Sequence, residues 1–225
     1  MTGKVIVALP AYNEENYIAG IVGKATGYAD TVIVLDDGSS DRTAKRAIDA
    51  GAKLLQHKTN KGYGVTIQDI LSVVRGSEFD VLVIIDADSQ HDPTDIPKLV
   101  KAVRDGADLA IGCRAGKDVP FYRRIGGTTL SVFTWILSGV WVRDSQCGFR
   151  AYSPKAVERI LPREQGMAVS SEIVGIASRA GLRIMEVPIS VRYLDDSSTH
   201  NPWKQGVYTL CRILVMMTAR RRLGK

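Results

Sequence analysis

Asp86-Ala87-Asp88-Ser89-Gln90 places two carboxylates and an amide oxygen at alternate positions, directly after the apolar run Val81-Leu82-Val83-Ile84-Ile85. Oxygen donors so arranged suit a hard divalent cation, Mg2+ or Mn2+, which completes its shell with water and phosphate oxygens. The preceding run has the length and β-branched content of a strand buried on both faces. The acids therefore fall at a strand's carboxyl end, where open α/β sheets bind ligands. A polar strand end with a helix cap would use the same residue types, so the pair alone leaves both readings open.

The elements that must position this pair are legible around it. Val5 to Leu9 reads as a first buried strand, closed by Pro10 and followed by Ala11-Tyr12-Asn13-Glu14-Glu15, with Asn13 as the expected cap of a helix from Glu14 to Thr26. Thr31 to Leu35 is a second strand, running into Asp36-Asp37-Gly38-Ser39-Ser40-Asp41, where Gly38 permits a turn and Ser40 or Asp41 caps a helix to Ala50. A strand over Lys53 to Gln56 leads through Asn60-Lys61-Gly62-Tyr63-Gly64 to a helix ending near Arg75; a helix over Asp95 to Arg104 and a strand over Asp108 to Gly112 follow the acidic run. Strands alternating with helices through connections too long for hairpins predict a mainly parallel sheet covered on both faces. Parallel strands bring their carboxyl ends together, so Tyr12, Glu14, Asp37, Asp86 and Asp88 should converge. The loop after the first strand has no Gly-x-Gly-x-x-Gly dinucleotide fingerprint, and no Walker loop occurs.

At 225 residues the chain suits one α/β domain, and 45% hydrophobic with 24% charged residues excludes a largely disordered chain. A net charge of +6 and a pI near 9.3 favour phosphate-bearing ligands or an anionic membrane surface. No basic stretch is interleaved with aromatics, so nucleic acid is not expected as a partner. Cys113, Cys147 and Cys211 are too scattered for a zinc site or a disulfide framework, and His57, His91 and His200 show no ligand spacing. Met1 to Lys4 lead straight into a strand, so no signal peptide is expected, and reduced thiols suit a cytoplasmic setting.

Pro10-Ala11-Tyr12-Asn13-Glu14-Glu15, Asp36-Asp37-Gly38-Ser39, Asn60-Lys61-Gly62 and Asp86-Ala87-Asp88-Ser89-Gln90-His91 resemble, in order and spacing, the inverting glycosyltransferases of the GT-A fold. The likeness is greatest to the dolichyl-phosphate mannose synthase and polyprenyl-phosphate glucosyltransferase group. It continues through Gly112-Cys113-Arg114, Asp144 to Tyr152 and Glu186-Val187-Pro188-Ile189, and so covers nearly the whole chain.

The resemblance implies a Rossmann-like α/β sheet sandwiched by helices over residues 1–225, as a single domain. Residues 1–115 would form the nucleotide-sugar half, 116–202 the acceptor half and 203–225 a C-terminal amphipathic helix. Pro10, Ala11, Tyr12, Glu14, Leu35, Asp37, Asp86, Ala87, Asp88 and Arg192 are implied as donor contacts, with Asp37 reading the base. Asp86, Asp88 and Gln90 are implied as ligands of Mg2+ or Mn2+, and Arg114, Arg124 and Arg150 as holders of an acceptor phosphate. Asp88, Arg114 and Glu172 are nominated as catalytic, Glu172 as a sugar or acceptor contact. Asp36 and Asp37 could alternatively serve as helix caps, and Arg123 as a solvated surface charge.

The implied reaction moves a hexose from GDP-mannose, UDP-glucose or UDP-N-acetylglucosamine to polyprenyl or dolichyl phosphate, giving a β-linked product. The alternative is a saccharide hydroxyl acceptor, which would call for a carboxylate base. The sequence departs from the group at Tyr63, where lysine or alanine is common, at Gly126-Gly127-Thr128, and in the loop Tyr193 to Pro202, which reads as a lid.

Two stretches read as interfacial. Tyr122 to Val142 carries Arg123 and Arg124 ahead of Leu130, Phe133, Trp135, Ile136, Leu137 and Trp141; the last helix aligns Trp203, Val207, Leu210, Leu214 and Met217 opposite Tyr208, Arg212 and Ala219, before Arg220 to Arg222. Neither reaches the roughly 20 apolar residues of a spanning helix. They suit a peripheral site on the cytoplasmic membrane face, or else core packing or an oligomer face.

Overall fold

The strand pattern closes into one sheet of seven strands in the order β3-β2-β1-β4-β6-β5-β7. This arrangement comes from a computed structural model that describes residues 3–114, 121–191 and 202–223, without the side chains of 121–125, 202–205, 217 and 219–223. The strands are β1 Val5–Ala11, β2 Thr31–Asp36, β3 Lys53–Gln56, β4 Val81–Ile84, β5 Leu109–Arg114, β6 Arg150–Tyr152 and β7 Ile184–Ile189. The helices are α1 Ile18–Ala25, α2 Thr43–Asp49, α3 Tyr63–Val74, α4 Ile96–Arg104, α5 Phe121–Ser138, α6 Pro154–Arg159, α7 Val169–Arg179 and α8 Pro202–Leu223.

β1 and β4 are buried along their whole lengths, as a central strand covered on both faces must be, which explains their unbroken apolar runs. β2 and β4 flank β1 in parallel, and β3 extends the β2 side. The chain builds outward from β1 through β2 and β3, then returns to the other side of β1 with β4. That reversal opens a crevice between the carboxyl ends of β1 and β4. Among the described strands β6 alone runs antiparallel, pairing with both β4 and β5, while β7 pairs in parallel with β5.

Two helices depart from the sequence expectations, α1 in its start and α8 in its faces. The first helix begins at Ile18, not Glu14: Asn13 takes a left-handed φ of 56°, residues 14–17 form turns in which Glu14 O accepts from the Tyr17 and Ile18 N–H groups, and the Asn13 side chain caps nothing in α1. β6, a buried tripeptide, is too short to carry a readable period. α5 packs on α7 and α8, and in α8 the inward seam is Thr209, Ile213 and Met216. Val207, Tyr208, Leu214 and Val215 point outward, so Tyr208 shares the exposed face with Val207 and does not oppose it. Among the described residues no helix is long and apolar enough to cross a membrane.

Candidate active site

The loop after β1 is stitched to the loop after β2. Asn13 Oδ1 accepts from the Ser40 N–H at 2.9 Å, Ser39 Oγ accepts from the Asn13 N–H at 2.8 Å, and Thr43 Oγ1 accepts from the Glu14 N–H at 2.7 Å. Asp36, fully buried, accepts from the Ser39 N–H and hydroxyl with one oxygen and from Gln56 Nε2 with the other. These bonds turn Glu14 toward the end of β4. Pro10 and Ala11 lie beside Leu35 and Asp36 in the β1–β2 register, and Tyr12 stands 44% exposed at the mouth of the crevice.

At the end of β4 the chain turns sharply. Asp88 Oδ1 accepts from the Gln90 N–H at 3.0 Å across Ser89, whose φ of 60° is left-handed. This short side-chain turn holds the Asp88 carboxylate beside that of Asp86. Burial and the charges of Asp88, Asp86 and Asp41 push Glu14 up to about 8; burial and Asp86 push Asp88 up to about 7. Three carboxylates from two loops thus crowd one another with too little positive charge between them. Arg114 is the cation that partly offsets Asp88. Such a cluster fits a divalent cation, whose charge relieves the repulsion and whose hardness matches oxygen. Among the described residues no group of three or more His, Cys, Asp or Glu is arranged to hold a metal by itself, so Asp86 and Asp88 would supply only part of a coordination sphere.

Tyr63, the first residue of α3, donates its hydroxyl to Asp86 Oδ1 at 3.0 Å. Gly148 closes the other side: a Cβ there would overlap Asp86 Oδ2, which is the physical reason for glycine in Cys147-Gly148-Phe149. Arg114, at the end of β5, meets Asp144 in a two-point fork, Nε to Oδ2 at 2.5 Å and Nη2 to Oδ1 at 2.6 Å. Glu186 Oε1 accepts from the Arg143 N–H at 2.8 Å and so fixes the loop that presents Asp144.

Three nominated residues have backbone partners within the protein. Arg150 is 2% exposed, and its guanidinium donates to the carbonyls of Cys147, Ser170 and Ser145 at 2.8, 3.1 and 2.7 Å, so it braces the Asp144–Gly148 loop. Asp37, buried, accepts from the N–H groups of Lys61 and Gly62, both at 2.8 Å, and holds that loop. Glu172 Oε2 accepts from the N–H groups of Arg163 and Glu164 at 2.9 and 2.8 Å, so it anchors the segment before α7. Arg192 and the loop 193–201 lie outside the described residues, as do the side chains of Arg123, Arg124, Trp203, Lys204, Met217, Ala219 and Arg220 to Arg222.

Residues 6–161 match the family described as glycosyl transferase family 2. The chain belongs to this glycosyltransferase family. It is 32% identical over 224 residues, covering 88% of this chain and 89% of the other, to the UDP-N-acetylglucosamine–dolichyl-phosphate N-acetylglucosaminyltransferase of Methanococcus voltae. It is 31% identical over 205 residues to the polyprenol monophosphomannose synthase of Mycolicibacterium smegmatis, covering 84% and 77%. Glucosyl-3-phosphoglycerate synthase from Mycobacterium tuberculosis, solved with Mn2+, UDP and glucosyl-3-phosphoglycerate, superposes with a TM-score of 0.73 at 23% identity, covering 97% of this chain and 80% of that one. This likeness carries the GT-A fold, and the seven-stranded sheet agrees with it.

The carboxylate cluster gives this glycosyltransferase a measurable pH signature. Glu14 and Asp88 hold their protons more tightly folded than unfolded, from ordinary values of 4.5 and 3.8 up to about 8 and about 7. Groups shifted upward favour the folded state at acid pH and lose that contribution as pH rises through the folded value. The metal-free enzyme is therefore expected to melt at falling temperature between about pH 4 and pH 8. Saturating Mn2+ or Mg2+ should flatten the upper part of that slope, because the cation displaces the protons. Melting curves with EDTA and with metal across this range test it; parallel curves would remove the cluster's role.

Proposed function

We propose that this enzyme transfers a hexose, with inversion and with a divalent metal, from a nucleotide diphosphate sugar to a polyprenyl phosphate such as dolichyl phosphate. The observation that carries the reading is how the acids are used. Among the described residues, and outside the Glu14–Asp86–Asp88 cluster, the nominated or neighbouring carboxylates have protein partners: Asp37 and Glu172 backbone N–H groups, Asp144 the Arg114 guanidinium, Glu186 the Arg143 N–H. A saccharide hydroxyl would need one of them as a positioned base. A phosphate monoester has a second pKa of about 6, is already a nucleophile near neutral pH, and needs holding, not deprotonating. The names of the Methanococcus voltae and Mycolicibacterium smegmatis relatives support a lipid-phosphate acceptor.

Asp86 and Asp88 would hold Mg2+ or Mn2+, which offsets the charge developing on the departing diphosphate. Structures of the mycobacterial synthase containing UDP with Mn2+ or with Mg2+ support that choice. The β1 and β2 loop ends, with Pro10, Ala11, Tyr12 and Leu35, form the wall proposed for the nucleotide. Arg114, fixed by Asp144 on the other wall, places positive charge where two phosphate-bearing substrates would repel each other. Arg124 and Arg192 are proposed as further phosphate contacts on the same grounds of residue type and resemblance.

Half-exposed Trp135 and Ile136 on α5, Trp141 just after it, and Val207, Leu214 and Val215 on α8 support a peripheral seat on a membrane, where an acceptor of this kind resides. The test is incubation with labelled UDP-glucose, UDP-N-acetylglucosamine or GDP-mannose, dolichyl phosphate in vesicles, and Mn2+ or Mg2+. One donor should yield an organic-extractable lipid-linked sugar with β anomeric configuration. Labelled oligosaccharide in place of lipid would establish the alternative acceptor and overturn the reading.

A further inference from the structure

Tyr63 stands out because the reaction as described assigns it nothing, although it touches the centre of the site. Its hydroxyl donates to Asp86 Oδ1 at 3.0 Å. The backbone that delivers it is clamped from both sides. On one side Asp37 takes the N–H groups of Lys61 and Gly62; Asp37 Oδ1 lies 2.6 Å from His57 Nδ1, and His57 Nε2 lies 2.9 Å from Asp69 Oδ2 on α3 itself. With a carboxylate facing each ring nitrogen, His57 ties the end of β3 to the body of α3. On the other side the Gly64 N–H donates to Gln165 O at 2.8 Å, and a Cβ at Gly64 would overlap the Glu164–Gln165 backbone. Gly62 itself has φ 94°, a conformation that a side chain would strain. The start of α3 therefore has little freedom to move, and the phenol is delivered to one place.

Asp86 needs that rigidity more than its neighbour does. Asp88 has its own turn through the Gln90 N–H, whereas Asp86 is held by the Tyr63 hydroxyl on Oδ1 and confined by Gly148 against Oδ2. A neutral donor fixes the carboxylate's rotation without cancelling the charge that attracts a cation, which an ammonium at the same place would do. We propose that Tyr63 is a positioning residue that orients Asp86 for a divalent cation, and that the Asp37–His57–Asp69 chain serves to hold Tyr63 in register. The proposal rests on the metal reading above and deepens it.

The test is titration of wild type and Tyr63→Phe with Mn2+, followed by electron paramagnetic resonance of the free ion, with and without UDP or GDP. Phenylalanine keeps the ring and removes only the donor. The variant's Mn2+ dissociation constant should rise about ten- to a hundred-fold, the usual effect of losing a partner behind a metal ligand. Its metal-free circular dichroism and melting temperature should match wild type, while the stabilisation conferred by Mn2+ shrinks. Wild-type Mn2+ affinity in Tyr63→Phe would overturn the role given to Tyr63 and leave the metal reading standing. Wild-type protein that binds no Mn2+ even with nucleotide would overturn both. A second variant, His57→Gln, guards against a local effect of the phenylalanine: weakened Mn2+ binding with the hydroxyl still present supports the clamp, and unchanged binding removes that part of the proposal.

Discussion

Asp88→Asn is expected to lower metal-stimulated transfer by about a thousand-fold or more, equivalent to about 4 kcal/mol of transition-state stabilisation. The amide keeps an oxygen that can accept from the Gln90 N–H, so the turn across Ser89 survives and only the charge is lost. Removing that charge also relieves Glu14, whose proton affinity is raised by burial first and by Asp88 next. The metal-free variant should therefore be at least as stable as wild type at pH 8, although it is nearly inactive. Loss of activity with gain of stability is the behaviour of a group placed for function against the interest of the fold. Steady-state kinetics over a Mn2+ series, paired with melting curves in EDTA, separate the two effects. Near wild-type turnover in Asp88→Asn would end the metal assignment, and a destabilised variant would show that Asp88 serves the fold.

Arg150→Ala is expected to do the reverse, leaving the site's chemistry intact while weakening the protein. Truncation strips donors from the buried carbonyls of Ser145, Cys147 and Ser170 and removes the partner of the Tyr152 side chain. Buried acceptors left unpaired cost about 1–3 kcal/mol each, less than additively, so a loss of about 3–5 kcal/mol is expected. For a chain of this size that lowers the melting temperature by roughly 10 °C. Arg150→Lys should recover only part of it, because one ammonium cannot span three carbonyls. Denaturant melts read the effect directly. A wild-type melt combined with a raised KM for the lipid phosphate would instead assign Arg150 to the acceptor.

Both predictions turn on residue types that the sequence displays plainly and whose partners it conceals. Asp37, Glu172 and Arg150 stand in motifs that resemble ligand-binding ones, and each could meet a substrate or a backbone group with equal chemical ease. Folding brings Lys61 and Gly62 onto Asp37, Arg163 and Glu164 onto Glu172, and three carbonyls onto Arg150. Tyr63 shows the opposite case. In sequence it is only a departure from a familiar pattern, and in space it is the donor to Asp86. Asn13 likewise looks like a helix cap, but its backbone is left-handed, α1 starts only at Ile18, and its side chain accepts from the Ser40 N–H.

What the amino-acid order settled without help was local and periodic. The apolar runs of β1, β2 and β4, the helices between them and the acids at the strand ends depend on backbone period and on burial from both faces. Parallel pairing then obliges those ends to share one edge. Which strand lies next to which, the antiparallel insertion of β6, and the commitment of each buried carboxylate and guanidinium were decided only by tertiary structure. A polar side chain that leaves water must find a partner, and the partners available to it come from segments tens of residues away.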